Sequence, residues 1–596
     1  MPLSSTATLK LGTRDLAMPP RKAIVLAAGF GSRLNPVTLD VPKPLLPCRG
    51  ERMIVRVLQT LSSWGVRDVC INLHHRADRM LQDLAGLSIK DLRIQYSFEP
   101  VILGTGGPLR RMEGFIGGDP FWLCNADICM DLDPKPILAR FQQRNPLAAL
   151  WMVADAGPKT VRVEQGKVVD FRGGGQTFSG LHLISPRILR YVPTEESFVS
   201  IIDVYRQAMQ QGEEIAALDI PGSHWADVGT PEQLIAENGG SVVLPGARVD
   251  AGAILDRAIV GEGARVRKGR RVQGMVVSPT RGLSPDEHKQ LPKAEAVEYM
   301  SARGSDRDFR RIHLPQRTVI LMRRGDVRME NVRFTANTRF LARKGLPVPE
   351  ILFHSRDHRF WILEDLGRVH LLDRLHSGSP ARNAQDTRQA LEITARLHAI
   401  RSAGGLSLEK EFRPQLYSWE HDLFLRSFLA RWDAGTDPET LRPAMRKASA
   451  ALNKAPKVLL HRDLQSTNFM VSRRGFVLID YQGMRLGPAA YDLASFLADP
   501  YVERSPEEQF AYLAAYNDLA RSPVSEALYR FAAVQRLLQA LGAYGRLGAL
   551  PGTERFLEHV PPALRQLRAL SPFPVLTDWA ESFLLRNPDF PQTPSP

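Results

Sequence analysis

The sequence predicts an α/β domain, then a short β-helix, then an α+β domain of two lobes. Three observations carry this. From 21 to about 237, short β-rich runs alternate with amphipathic helical patterns, which argues for a mostly parallel sheet covered on both faces. From 242 to 277 the apolar residues Val243, Val249 and Leu255, then Val260, Val266 and Val272, recur every six positions with Gly and Ala between them. Farther on, strand patterns at 316–323 and 359–364 precede long helical patterns from 385 onward.

The first domain is expected over 21–240, after a disordered leader at 1–20. Its strands read as "KAIVLAA" (22–28), "DVCINL" (68–73), "RIQYSF" (93–98), "PFWLCNAD" (120–127) and "LAALWMV" (147–153), with "MIVRVLQTLSSWGV" (53–66) as an amphipathic helix between the first two. The six-residue period over 241–278 is that of a left-handed, hexapeptide-type β-helix, short enough to act as a cap or an oligomerisation element. "SPTRGLSPDEHKQLPK" is aperiodic and rich in Pro and charge, so 279–293 reads as a linker. The second large domain then covers 294–590.

Composition narrows the classes of function. A chain of 596 residues is too long for one core. Its 44% hydrophobic and 24% charged content is ordinary for soluble globular protein, and no apolar run approaches the ~18 residues of a membrane span. The first residues lack the apolar core of a secretory signal. The four cysteines, Cys48, Cys70, Cys124 and Cys129, fit no zinc spacing and read as buried thiols of a reducing cytoplasm. The net charge is +14, but the arginines are scattered without a basic block, which argues against nucleic acid and suits a protein that binds polyanionic nucleotides.

The first chemical signal is "LAAGFGSRLNPVTLDVPKPLL". A strand ends at Ala28, and the turn Gly29-Phe30-Gly31-Ser32 exposes backbone N–H groups that can wrap phosphate oxygens. No Gly-Lys-Ser/Thr follows, and Leu34 stands where a dinucleotide fingerprint has its third Gly. Arg33 adjoins the turn, and Lys43 sits between Pro42 and Pro44, which stiffen the chain around it. Two cations converging on a polyphosphate suit nucleotidyl or phosphoryl transfer.

This pattern closely resembles the sugar-phosphate nucleotidyltransferases from about 22 to 237, including their N-acetylmuramate α-1-phosphate uridylyltransferase branch. "LGTGGPL" (103–109), "NAD" (125–127), "FSGLHLISP" (178–186) and "WADVGTPEQL" (225–234) resemble further motifs of that family. The resemblance implies that Ala27, Ala28, Gly29, Gly31, Ser32, Glu99, Gly104, Gly106 and Gly107 contact the nucleotide. It implies that Asn125, Ser179 and Gly180 meet the acceptor sugar, and that Asp127 and Asp227 hold Mg²⁺. Arg33 would hold the leaving pyrophosphate, and Lys43 the charge at the α-phosphorus. Many members have a sugar-phosphate lysine before the acceptor segment. "VVDFRGGGQTFSG" has none, and the comparison with the family makes Arg172 the expected substitute.

The second signal is "HRDLQSTN" (461–468), with Asp480 following in "VLIDYQG". H-R-D-L-x-x-x-N is the pattern of a kinase catalytic loop, in which Asp463 takes the proton of the attacking hydroxyl while Asn468 and Asp480 hold Mg²⁺ on ATP. The glycine loop, strand lysine and D-F-G of protein kinases are missing. The stretch from about 295 to 570 resembles instead the aminoglycoside phosphotransferase and choline kinase superfamily, and within it the anomeric N-acetylmuramate and N-acetylglucosamine kinases. That resemblance makes "GSDRDFRR" (304–311), with Ser305 and Arg310, a loop over the nucleotide, "RFWILEDLG" (359–367), with Glu364, the adenine hinge, and Asp492 a brace for the catalytic loop. Met322 stands where relatives often have a phosphate-binding lysine, with Arg323 or Arg324 as the replacement.

The two resemblances join into one route. A kinase acting on an anomeric hydroxyl makes a sugar-1-phosphate, and the transferase consumes one. They imply a bifunctional cytoplasmic enzyme of peptidoglycan recycling that uses ATP, UTP and Mg²⁺ to turn N-acetylmuramate or N-acetylglucosamine into a UDP-sugar, with no membrane or nucleic-acid partner. The rival readings are a choline-type kinase joined to a cytidylyltransferase, and a transferase regulated by a non-catalytic kinase-like domain.

Overall fold

The computed structural model describes residues 19–300, 307–324, 330–400, 404, 406, 408–550, 553–588 and 590. Ser305 lies outside them. The chain falls into two units, one of Met1–Ser301 with Arg310–Arg317, the other of Ala302–Phe309 with Thr318–Pro596.

In the first unit, the five strands expected from the sequence form, those beginning at Lys22, Phe121 and Ala148 with ends trimmed by a residue or two, and further strands not expected from the sequence join them. They are β1 (Lys22–Leu26), β2 (Asp68–Leu73), β3 (Arg93–Phe98), β4 (Phe121–Asn125), β5 (Ile128–Asp131), β6 (Ala148–Val153), β7 (Arg162–Glu164), β8 (Lys167–Asp170), β9 (Thr177–Ile184), β10 (Ile215–Asp219) and β11 (His224–Asp227). The main sheet has nine strands in the order β3-β2-β1-β4-β9-β6-β10-β8-β7. The half containing β1 is parallel, as expected, whereas β9 runs antiparallel to both β4 and β6. The sheet is therefore mixed rather than mostly parallel, because β9 enters between β4 and β6 in the opposite sense. Aliphatic and aromatic runs such as "FWLCN" and "AALWMV" are buried on both faces. Each large side chain among them, Trp122 or Trp151 for instance, stabilises by roughly 1.5–3 kcal/mol. β3 reads "RIQYSF" and lies at the edge, where its Arg93 pairs with Asp68.

Beyond β11 the chain coils in parallel. β12 (Val242–Val243) pairs with β14 (Ile254–Val260), β13 (Arg248–Val249) with β15 (Arg265–Val266), and β14 with β16 (Arg271–Val277). Arg248 lies opposite Arg265 and Ile254 opposite Arg271, so the chain returns to the same ladder one turn later. Val260, Val266, Val272 and Val276 fill its small core with Ala258 and Ala264. The segment 279–293 is not an aperiodic linker. It forms the helices Pro279–Gly282 and Pro285–Gln290, the second opened by a Ser284/Glu287 capping box. Its prolines start these helices instead of breaking them. β17 (Ala296–Tyr299) follows, antiparallel to β16 and to residues 310–313.

The second unit opens with a small antiparallel sheet. β18 (Thr318–Arg323) pairs with β20 (Phe360–Glu364), which pairs with β19 (Ile351–His354). The helix Glu330–Arg343 precedes β19. A helical lobe follows, dominated by Glu526–Leu547. Ser525 caps that helix, and its side chains are buried on nearly every face. A Cβ on Gly542 would lie 2.7 Å from the Phe424 nitrogen, so this glycine permits close contact with the helix Pro414–Phe424. Two antiparallel pairs, β21 (Lys457–Leu460) with β24 (Arg485–Pro488) and the hairpin β22 (Phe469–Ser472) with β23 (Gly475–Leu478), frame the segment between Leu460 and Phe469. Among the described residues, no helix is long and apolar enough to cross a membrane. All four cysteines are free and buried.

Candidate active sites

The first site grows from the ends of β1, β4 and β11. β1 stops at Leu26, and Ala27, held by its N–H donating to Asn72 Oδ1 at 2.6 Å, leads through buried Ala28 into the turn. Gly29 and Ser32 flank its tip, Gly29 exposed and Ser32 more so than the strand before it. Gly31 adopts φ +62°, and a Cβ on it would sit 3.0 Å from that of Lys43, so a side chain would be both strained and crowded. The glycine thus keeps the turn close to the lysine.

Lys43 is buried, and its ammonium lies 2.5 Å from Asp127 Oδ2 and 3.5 Å from Asp227 Oδ1. Arg33 Nη2 donates to Asp227 Oδ2 at 3.3 Å. The pairing of β5 with β11 explains the convergence. Asp227 lies opposite Ile128, so the two aspartates meet at one end of that ribbon, and the Val228 N–H donates to the Asp127 carbonyl. Both carboxylates remain partly exposed, and Arg33 more so. Two carboxylates converging on one cation form a donor set that suits Mg²⁺, which takes few carboxylates beside phosphate oxygens and water.

Around this centre the other expected residues divide. Asn125 ends β4 beside Gly180, where φ is +85° and a Cβ would come within 2.6 Å of Asn125 Nδ2. Arg172 is exposed, and its N–H donates to Asp170 Oδ1. Glu99 is a correction. Its carboxylate is fully buried, accepting from Asn72 Nδ2 at 2.8 Å and from the Leu103 N–H at 3.0 Å, so it braces the glycine loop rather than facing a base. Ser179 is another, because its hydroxyl donates to the Trp151 carbonyl at 2.7 Å inside the sheet. In the glycine loop, Gly104 has φ +78° and lies against the Val199 backbone, Gly107 packs as closely on the Ser197 carbonyl, and a Cβ on Gly106 would lie 3.1 Å from the Ile201 nitrogen.

The second site is built on the hairpin β22–β23. Asn468 immediately precedes β22 and Asp480 closely follows β23, and the Ile479 N–H donates to the Asn468 carbonyl at 3.0 Å. Asn468 Nδ2 donates to the Asp463 carbonyl at 2.7 Å, which ties the loop across itself. Asp492, wholly buried, accepts from the N–H groups of His461 and Arg462 at 2.7 and 2.9 Å, as expected of a brace. His398 Nε2 also reaches it, at 3.2 Å. Asp499 accepts from the N–H and hydroxyl of Ser466. His461 Nε2 donates to the Ile479 carbonyl, so this histidine supports the loop.

Asp463 is flanked by Arg462 Nη1 at 2.7 Å and Arg536 Nη2 at 3.3 Å. Burial works to raise its pKa, but these guanidiniums outweigh it and hold the group at about 2. Asp463 is thus an ionised acceptor at any physiological pH. Asp480 has φ +62° and accepts from Arg307 Nη1 at 3.3 Å and from Gln482. The pair Asn468 and Asp480 supplies oxygen donors of the type Mg²⁺ accepts.

The cations differ from expectation. Met322 is buried in the core opposite Trp361. Arg323 donates to Asp308, and the Arg324 N–H to the Arg359 carbonyl. It is Arg307 that reaches Asp480. Arg310 lies in the first unit, where its guanidinium donates to the Gly282 carbonyl and stacks 4.3 Å from the Tyr299 ring centroid, so its expected place over a nucleotide is corrected. The Glu364 carboxylate accepts from the Glu350 N–H at 2.8 Å and from Arg474. Its side chain therefore fixes the end of β20. Of Arg307 and Arg310, Arg307 is the one placed beside Asp480. Arg536 belongs to no motif, and only its contact with Asp463 reveals it.

Comparison with known proteins agrees with this division. Residues 22–169 match the family model described as nucleotidyl transferase, and residues 300–532 the one described as phosphotransferase enzyme family. Over 231 residues the chain is 29% identical to the mannose-1-phosphate guanylyltransferase catalytic subunit beta of Dictyostelium discoideum, covering 37% of this chain and 64% of that protein. Over 283 residues it is 25% identical to mannose-1-phosphate guanylyltransferase of Mycobacterium tuberculosis, covering 43% and 79%. The chain thus spans less than two thirds of the Dictyostelium relative. A solved inositol-1-phosphate CTP transferase from T. maritima aligns with 36% of this chain and 91% of its own, at 20% identity and a TM-score of 0.31. One polypeptide here joins a nucleotidyltransferase domain to a phosphotransferase domain.

Proposed function

We propose that the chain phosphorylates the anomeric hydroxyl of N-acetylmuramate, or of N-acetylglucosamine, with ATP, and then transfers a uridylyl group from UTP to the sugar-1-phosphate. The observation that supports this is two clusters on one chain, Lys43 with Asp127 and Asp227 in one domain and Asp463 with Asn468 and Asp480 in the other, each of a composition that suits a metal-bound polyphosphate. Chemically, the product of the second is a substrate of the first.

In the phosphotransferase domain, Asp463 accepts the proton of the attacking hydroxyl and orients it, while Arg307 bears on the ATP phosphates beside Asp480. In the nucleotidyltransferase domain, the sugar phosphate attacks the α-phosphorus. Lys43 stabilises the charge that develops there, and Arg33 holds the leaving pyrophosphate. Asp127 and Asp227 in one domain, and Asn468 and Asp480 in the other, would hold Mg²⁺, which would neutralise phosphate charge. Both pairs lie beside a side-chain cation, which bears on the same polyphosphate.

The names of the curated relatives favour a second reading of the first domain, guanylyl transfer to a hexose-1-phosphate. A matrix of sugars against nucleotides decides between them. The purified chain is given N-acetylmuramate, N-acetylglucosamine, mannose or choline with ATP, then UTP, GTP or CTP, and ADP and pyrophosphate are followed separately. The proposed reading predicts the best coupled yield with an N-acetyl amino sugar and UTP. Yield only with mannose and GTP overturns it.

A further inference from the structure

We propose that the acceptor pocket of the phosphotransferase domain binds a carboxylate of its sugar through the guanidiniums of Arg462, Arg485 and Arg536. This rests on the reading of Asp463 as the residue that faces the acceptor hydroxyl.

The charges around Asp463 motivate the proposal. Arg462 and Arg536 both contact its carboxylate, at 2.7 and 3.3 Å. Arg485, on β24, donates through Nε to the Gly483 carbonyl at 3.2 Å and lies over the Phe412 ring, 5.6 Å from its centroid. Burial, and then the like charge of Arg462, push the Arg485 guanidinium below its ordinary pKa, as expected where cations crowd. Among the described residues, Glu409 and Glu420 also act on these arginines. Glu409 accepts from Arg333. Glu420 is wholly buried, accepts from the Tyr491 hydroxyl and Gln535 Nε2, and is raised by burial toward its protonated form. Two guanidiniums therefore contact the Asp463 carboxylate, and Arg485, opposite Leu460 on β21 and bonded to Gly483, against which Arg462 packs, adds a third beside them.

An anionic ligand would add to the charges that balance these guanidiniums. Planar guanidiniums suit a carboxylate, which accepts two parallel hydrogen bonds. The ATP phosphates are the competing anion, but they belong beside Asn468 and Asp480, where Arg307 already supplies a cation. An acidic sugar would thus dock its carboxylate on the arginines and present its hydroxyl to Asp463. The same contact would draw Arg536 from Asp463 and free an oxygen for the proton.

The test compares three acceptors of the full chain: N-acetylmuramate, its neutral methyl ester, and N-acetylglucosamine. One charge-assisted contact predicts kcat/KM for the acid about tenfold to a hundredfold above that for the ester. Arg485→Gln brings that ratio toward one, and Arg485→Lys restores part of it. Equal rates for acid and ester overturn the proposal, as does an Arg485→Gln variant that changes only the KM for ATP. If none of the three sugars is phosphorylated, the kinase reading fails, and thermal shift with the same compounds still tests the pocket. Stabilisation by the acid but not the ester, lost in Arg485→Gln, supports the anion subsite, and equal or absent shifts overturn it.

Discussion

Lys43 and Asp127 form an ion pair across 84 residues, with the ammonium buried and 2.5 Å from the carboxylate. Asp227 shares the same ammonium at 3.5 Å. Lys43→Met removes the only cation among the described residues that bridges both acids, and places two carboxylates side by side. Nucleotidyl transfer should fall by about a hundredfold to a thousandfold, the usual loss for a group that stabilises transition-state charge. Pyrophosphate release measures this, and ADP release by the other domain should not change.

Gly104 tests the close packing of the glycine loop. At φ +78°, with a Cβ only 2.5 Å from the Val199 carbonyl oxygen, Gly104→Ala should destabilise the first unit by roughly 1–3 kcal/mol. Urea unfolding followed by tryptophan fluorescence measures it. Gly29→Ala, where a Cβ meets nothing within 4 Å, should leave that transition in place.

Asp492 accepts two backbone N–H groups of the catalytic loop and a histidine. Asp492→Ala orphans those buried donors and should destabilise the second unit by roughly 2–5 kcal/mol. Its phosphotransfer should fall with it. Differential scanning calorimetry and ADP release read the two effects on the same preparation.

His182 gives the first unit an acid-sensitive point. It is buried, bonded through Nδ1 to the Tyr205 hydroxyl at 2.6 Å, and burial holds its pKa at about 3 instead of 6.5. The unfolded chain therefore binds a proton that the folded one refuses between those values. Stability is full above pH 6.5 and is lost as pH falls toward 3, at about 1.4 kcal/mol per pH unit. Hydrogen exchange of peptides covering β9 should show this slope, and His182→Gln should flatten it.

How much of this is legible in the sequence depends on distance along the chain. Asn468 and Asp480 flank one hairpin, so their motif already implies their meeting. Asp127 and Asp227 lie in separate motifs, and the family pattern, not periodicity, suggests one site. Arg536 is hidden, since it sits mid-helix with no motif and reaches Asp463 from 73 residues away. Glu99 and Ser179 mislead for the opposite reason. They stand in recognisable segments, but fully buried polar groups need partners inside the protein, and Asn72, Leu103 and Trp151 take them. Likewise Cys48 and Cys129, 2.9 Å apart at sulfur, share no spacing that would mark them as neighbours. The prolines at 279 and 285 read as breakers, although at the first turn of a helix they are favourable.

The central claim is that two independent centres act in series. Both half-reactions should be followed in two single variants, Asp127→Asn and Asp463→Asn, with N-acetylmuramate, ATP and UTP. Asp127→Asn should accumulate sugar-1-phosphate and release ADP without pyrophosphate, while Asp463→Asn should release pyrophosphate only when sugar-1-phosphate is supplied. Loss of both half-reactions in either folded variant would contradict the account.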